Sequence, residues 1–221
     1  MIDIAANLKM VQEQIGRAQE NSVHAAKYIK LVAVSKTKPV SLLKEAVAAG
    51  AHDLGENKVQ ELVEKFDLVP GPVSWHLIGH LQTNKVKYMI DKVALLHSLD
   101  RLELAREIQK RAAAKNIVLP ALVQVNLAKE DSKSGLMIEE VKDFMIAMQD
   151  FANIHVEGLM TIGPLAARGE EVRPVFRQLR ELKEQICQMQ LPKSEMKYLS
   201  MGMSGDYPIA IEEGANIVRV G

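Results

Sequence analysis

LVAVSKTKPVSLLKEAVAAG, residues 31–50, holds one complete strand–corner–helix unit. Leu31, Val32, Ala33 and Val34 form a short apolar run of the β-branched type that suits a strand. Ser35, Lys36, Thr37 and Lys38 make a polar corner. Pro39 opens a helix and Gly50 closes it, the usual placing of those residues at helix ends. Leu43, Ala46 and Val47 supply its buried face.

Outward from this unit the pattern repeats. Further strands are expected at 52–54, 73–78, 93–96, 119–125, 154–160, 197–199 and 217–220. Helical stripes lie between them, such as Val59, Leu62 and Val63, or Ile138, Val141, Met145 and Met148. The longest is Val172, Val175, Leu179, Leu182 and Ile186. Asp100 with Glu103 reads as a capping box at the start of another. Strands alternating with helices pair in parallel, and eight such units close into a (β/α)8 TIM barrel. An open doubly wound sheet is the alternative. Ile4, Leu8, Val11, Ile15 and Ala18 mark an extra N-terminal helix before the first strand. That helix is expected to stand where the eighth outer helix would follow strand eight. Residues 1–221 are read as one α/β domain.

Lys and Arg total 28 and Asp and Glu total 28, so net charge is zero. Nucleic acid needs a basic excess, so it is not the expected partner, although a local anion site remains compatible. No apolar run approaches a membrane span, and the first residues do not form a signal peptide. The single cysteine, Cys187, reads as a half-buried helix residue in a reducing compartment. A cytoplasmic monomer is expected.

In such a barrel the active site lies at the C-terminal ends of the strands. The polar residues placed there are Ser35, Lys36, Glu56, Asn57, His76, His80, Ser98, Asn126, Thr161, Ser200 to Ser204 and Arg219, with the glycines Gly79 and Gly221. Lys36 directly follows its strand, where an amine can attack a carbonyl; the plainer reading is a solvated lysine. Ser200-Met201-Gly202-Met203-Ser204-Gly205-Asp206 is small and flexible ahead of a short helix. It is either a phosphate loop, the usual role of loops after strands seven and eight, or an ordinary turn. It lacks the second glycine of a serine-hydrolase elbow. Arg219 either points inward as a permanent cation or pairs at the surface. His76 and His80 have no neighbouring Glu that completes a zinc pattern, so hydrogen-bonded histidines are expected and no metal.

Four stretches together resemble one family. They are Ala33-Val34-Ser35-Lys36-Thr37-Lys38, Gly55-Glu56-Asn57-Lys58-Val59-Gln60-Glu61, Trp75-His76-Leu77-Ile78-Gly79-His80-Leu81-Gln82-Thr83-Asn84-Lys85 and Leu199-Ser200-Met201-Gly202-Met203-Ser204-Gly205-Asp206-Tyr207. In this order they resemble the pyridoxal phosphate homeostasis (YggS/PROSC) family. The resemblance implies a fold-type III barrel like the N-terminal domain of alanine racemase. It implies pyridoxal 5′-phosphate (PLP) held as a Schiff base on Lys36. Ser200, Met201 and Gly202 would hold the phosphate with the Gly221 backbone, Asn57 would lie near the ring, and Arg219 would face the pyridine nitrogen. Members continue after this glycine with a threonine of the phosphate clamp, which here would lie past Gly221.

The resemblance further implies a protein that buffers or delivers vitamin B6 rather than an enzyme. Its partners would be PLP, related B6 vitamers and, transiently, apo-enzymes. No residue is assigned a catalytic role. The competing reading is a racemase-like enzyme of weak activity. Racemisation needs acid–base groups on both faces of the α-carbon, and none of Tyr28, Tyr88, Tyr198 and Tyr207 sits in an evident position opposite Lys36.

Overall fold

A computed structural model describes residues 3–128, 134–164 and 169–221. Eight parallel strands close into a barrel in sequence order, β1-β2-β3-β4-β5-β6-β7-β8. They are β1 (Lys30–Val34), β2 (Asp53–Glu56), β3 (Ser74–Leu77), β4 (Leu95–Leu99), β5 (Leu119–Gln124), β6 (Ile154–Met160), β7 (Ser194–Met203) and β8 (Ile217–Val220). Pairing of β1 with β8, Val32 beside Arg219, shuts the cylinder and excludes the open sheet.

The described residues carry eight α-helices: α1 (Ile4–Glu20), α2 (Val40–Ala48), α3 (Val59–Phe66), α4 (Val86–Met89), α5 (Leu102–Ala114), α6 (Val141–Ala147), α7 (Arg173–Gln188) and α8 (Tyr207–Glu212). α1 packs against both α2 and α8, so it fills the gap in the outer ring as expected. Its stripe buries Ile15 and Ala18. α7 and α8 are tied through Glu213, whose carboxylate pairs with Arg177 at 3.1 Å and Arg180 at 3.0 Å.

Two apolar layers follow from strand alternation. Outward side chains such as Leu54, Leu77, Leu96, Val123, Leu159 and Leu199 form the large core under the helices. Inward ones, Val32, Leu95, Leu122, Met160 and Ile217, form a small plug in the lumen.

Register irregularities interrupt the alternation between Leu96 and Leu99, Val156 and Gly158, and Ser200 and Met203. A bulge adds one residue and reverses which face the following side chains take. In β6, Ile154 and Val156 join the outer core, and so does Leu159 three residues later, while Met160 enters the lumen.

Four expectations are corrected. β7 is not a three-residue strand at 197–199 but runs ten residues, so much of the loop read at 200–206 is strand. β4 lies two to three residues later than 93–96, which brings His97 and Ser98 into it. The Asp100–Glu103 capping box does not form: α5 is capped at Arg101 without a side-chain bond, because Asp100 instead pairs with Arg101 at 2.7 Å. Cys187 is exposed rather than half-buried, since the stripe that α7 buries runs through Leu182 and Ile186 on the other face.

Candidate functional site

Lys36 ends up on the rim that β1 delivers it to. It is exposed, in the turn Ser35–Lys38 closed by the bond from Lys38 N to Ser35 O at 3.1 Å. Ser35 turns away from the lumen, its hydroxyl donating to Glu56 Oε1 at 2.7 Å behind the strand. Thr37 follows with φ +62, a left-handed conformation that a β-branched residue adopts only under constraint. Val34 is in register with Gly55, so Asn57, half-buried, continues β2 beside this turn. Gly79 holds the β3 corner against it: a Cβ there would lie 2.3 Å from Asn57 O.

Arg219 points inward. It is 4 % exposed and donates to Ser200 Oγ at 2.5 Å and to Thr161 O at 2.9 Å. Burial lowers its pKa to about 10, opposed by the Asp206 charge, so it stays a cation at neutral pH. Ser200 is fully buried beneath it. The Ser200 hydroxyl accepts from Arg219 and meets His97 Nδ1 at 2.9 Å, so its polar capacity is engaged inside the lumen. Met201 turns its side chain into the outer core, which leaves its main chain for the rim. Gly202, at φ +93, lets α8 close in, since a Cβ would lie 2.6 Å from that of Ala210. Asp206 folds the loop by accepting from Met203 N at 2.6 Å. Ser204 Oγ lies 3.2 Å from both N and O of Gly221, joining the β7 loop to the end of β8.

Sequence reasoning missed the chain of polar groups behind Arg219. His97 Nε2 lies 2.8 Å from His76 Nδ1, and His76 Nε2 lies 2.8 Å from Asp53 Oδ1. Asp53 also receives Lys30 Nζ at 2.7 Å. One assignment of protons satisfies every link: Arg219 donates to Ser200, Ser200 to His97, His97 to His76, and His76 to Asp53. In that assignment the imidazole protons shared along the row sit on Nε2 of each ring. Burial works against an Asp53 carboxylate, but hydrogen bonds from His76 and Lys30 outweigh it and hold its pKa below the ordinary value. The row crosses the barrel from the first residue of β1 to the end of β8 and fixes the Arg219 guanidinium from below.

His97 sets a pH limit. Burial first, then the electrostatic influence of the neighbouring His76, Arg219 and Lys30, pushes its pKa well below the usual 6.5. The unfolded chain therefore binds a proton near pH 6.5 that the folded chain refuses. Stability is full above that pH and falls as pH drops below it, by at most about 1.4 kcal/mol per pH unit. Urea denaturation between pH 7 and 5 should show the decline, and His97→Gln should remove this share of the slope. An identical slope in the variant would refute the assignment.

His80, on the same rim, lies 3.1 Å from Ser134 Oγ and 3.8 Å from Asp100. At the opposite end of the barrel His155, Glu157 and Glu195 come together, but Lys197 Nζ stands among them, 2.9 Å from Glu157.

The rim is thus a solvent-facing amine above a buried donor-only cation, with an amide and a small-residue loop beside it. Asp206, the carboxylate of the loop after β7, is turned into that loop by its bond from Met203 N. That donor set fits a small aldehyde bearing a phosphate.

Comparison with known proteins agrees with the class of fold. The alanine racemase N-terminal domain model matches residues 4–221. An Aquifex aeolicus protein named pyridoxal phosphate homeostasis protein is 44% identical over 215 residues, 97% of this chain and 93% of its own length. PipY of Synechococcus elongatus PCC7942, solved with PLP bound, superposes with TM-score 0.85 at 31% identity, covering 99% of this chain and 98% of PipY. An alanine racemase of Clostridium difficile shares the fold at TM-score 0.75 and 16% identity, with 98% of this chain and 55% of that one covered. The chain belongs to the pyridoxal phosphate homeostasis protein family, built on the alanine racemase N-terminal barrel. Among the described residues no helix is long and apolar enough to cross a membrane.

Proposed function

We propose that this protein binds pyridoxal 5′-phosphate at the C-terminal rim of its barrel and keeps or hands on the cofactor. One observation carries the reading: an exposed lysine amine, unpaired among the described residues, stands on the rim at the end of β1, whose Val32 is in register with the buried Arg219 cation. The cofactor supplies an aldehyde, which condenses with a primary amine with loss of water. Lys36 is the amine. Asn57 lies beside it, where an amide can meet the ring. Arg219 presents only donors and is fixed by Ser200 and Thr161, so it leaves a facing pyridine nitrogen unprotonated and damps carbanion chemistry. The main chain at Ser200, Met201 and Gly202, with Gly221, would hold the phosphate. Ser204, part of the small-residue stretch read as a candidate phosphate loop, stands at the same junction.

Storage or delivery is favoured over racemisation by what surrounds Lys36. A racemase needs a second acid–base group facing the lysine. Tyr207 is buried and bonded to Gln14. Tyr28 and Tyr198 line a cavity at the other end of the barrel, with Lys30 and Asp53. Tyr88 is exposed on α4. None of the four faces the lysine.

Transfer tests the reading. The PLP-loaded protein, mixed with a PLP-dependent apo-enzyme, should activate it, and incubation with L-alanine in deuterated water should leave the α-proton in place. Exchange on the order of 10 per second, an ordinary enzyme rate, would favour the racemase instead.

A further inference from the structure

We propose that Glu56, Glu61 and Lys65 form a clamp behind β1 that presets the Lys36 turn for the cofactor aldehyde. They are positioning residues, and the inference rests on the reading of Lys36 as the cofactor amine. Lys65, on α3, is buried, and its Nζ donates three bonds: to Ser35 O at 2.9 Å, Glu56 Oε1 at 2.8 Å and Glu61 Oε2 at 3.0 Å. That is the full complement of an ammonium. Ser35 Oγ donates to the same Glu56 oxygen at 2.7 Å, and Thr37 N donates to Glu61 Oε2 at 2.7 Å. The residues immediately before and after Lys36 are therefore both gripped by one cluster, while the Lys36 side chain has no partner among the described residues.

Stability is a poor explanation for this arrangement. The Glu56 carboxylate and the Lys65 ammonium are withdrawn from water, and such pairs rarely return more than their desolvation costs. Glu56 is wholly buried, and its Oε2 has no hydrogen-bond partner among the described residues, so the cluster is not even fully satisfied. Thr37 is held at φ +62 next to it. Backbone strain of this kind persists only where the surroundings enforce it, and it gathers at functional positions. The cluster carries marks of that enforcement. The Thr37 N–H is the largest cause holding the Glu61 pKa below its ordinary value, and burial pulls the Lys65 pKa down while its hydrogen bonds to Glu56 and Glu61 keep it above its own. With the turn fixed in advance, an incoming aldehyde meets an amine whose backbone freedom is already gone.

Glu61 is the residue to test, because it is half-buried and its loss spares the β2–α3 packing. PLP is titrated by absorbance into wild type, Glu61→Ala, Glu61→Gln and Lys65→Met, then trapped with borohydride and located by peptide mass spectrometry. Glu61→Ala should weaken capture roughly tenfold, the effect of one charge-assisted hydrogen bond, and lower the share of cofactor trapped on Lys36 relative to neighbouring lysines. Glu61→Gln keeps an oxygen for Thr37 N–H and should recover most of both. Lys65→Met should resemble Glu61→Ala; if it fails to fold, the Glu61 pair still decides. Wild-type affinity and trapping pattern in Glu61→Ala would overturn the clamp. Wild-type protein that traps no PLP on Lys36 would overturn the functional reading beneath it.

Discussion

Lys36→Ala is expected to lose the visible absorbance of PLP-loaded protein entirely, while the apo-protein melts where the wild type does. The two halves of that expectation rest on separate observations. Lys36 is exposed and makes no hydrogen bond or ion pair among the described residues. Surface substitutions of that kind usually change stability by less than about 0.5 kcal/mol. The turn is held by Ser35 and Thr37 rather than by the lysine side chain, so alanine inherits the same backbone. Binding is another matter. Without the amine, retention depends on the phosphate loop, Asn57 and Arg219 alone. Affinity should fall by at least roughly a hundredfold, about 2.7 kcal/mol. Equilibrium dialysis with PLP measures this directly. A variant that keeps the visible band would place the amine elsewhere, with Lys38 in the same turn the first to examine.

What the sequence made legible follows strand periodicity. The unit at residues 31–50, repeated, specified eight parallel strands, and β6 and β8 fall on their expected residues, 154–160 and 217–220. Lys36, Asn57 and Arg219 could be placed on one rim because each lies within three residues of the end of an expected strand. The polar row in the lumen could not be read so. His97 lies one residue past the run at 93–96, and only the register shift in β4 carries the strand on through it. A polar residue inside an otherwise apolar strand was the available signal, at His76 and again at His97. Bulges hid β7 for the same reason. Lys197 and Tyr198 sit where alternation breaks, so the run seemed to begin late and stop early. The Glu56–Lys65–Glu61 cluster was concealed differently. Glu61 and Lys65 are an ordinary i, i+4 pair on paper, and only the fold places Ser35 O and Thr37 N against them.

Gly158→Ala is expected to be the most damaging single methyl group in the barrel. Gly158 sits at the β6 bulge with φ +152, and a Cβ there would lie 2.0 Å from Tyr198 O, 2.8 Å from its carbonyl carbon and 2.9 Å from its N. These are main-chain atoms of the paired strand, so no rotamer change relieves the contact; β6 and β7 must part. The cost should be on the order of 4 kcal/mol, the range reached when strained backbone and overpacking act together. For a chain of this size that lowers the melting midpoint by roughly 8–16 °C. Gly16, in α1, supplies the contrast, because a Cβ there meets nothing within 4 Å. Gly16→Ala should raise stability by about 0.5–1 kcal/mol through helix propensity alone. The damage at Gly158 should also reach the rim. Met160 pairs with Ser200 two residues above the bulge, and Thr161 N donates to Ser200 O at 3.1 Å. Ser200 and Thr161 are the two partners of Arg219, so spreading these strands pulls its hydrogen bonds apart. Gly158→Ala should therefore weaken PLP binding at temperatures where the protein is still folded, whereas Gly16→Ala should not. Circular dichroism melts with PLP titration at 15 °C separate the effects. A Gly158→Ala protein that melts within two or three degrees of wild type would mean that β6 and β7 absorb the methyl group without parting.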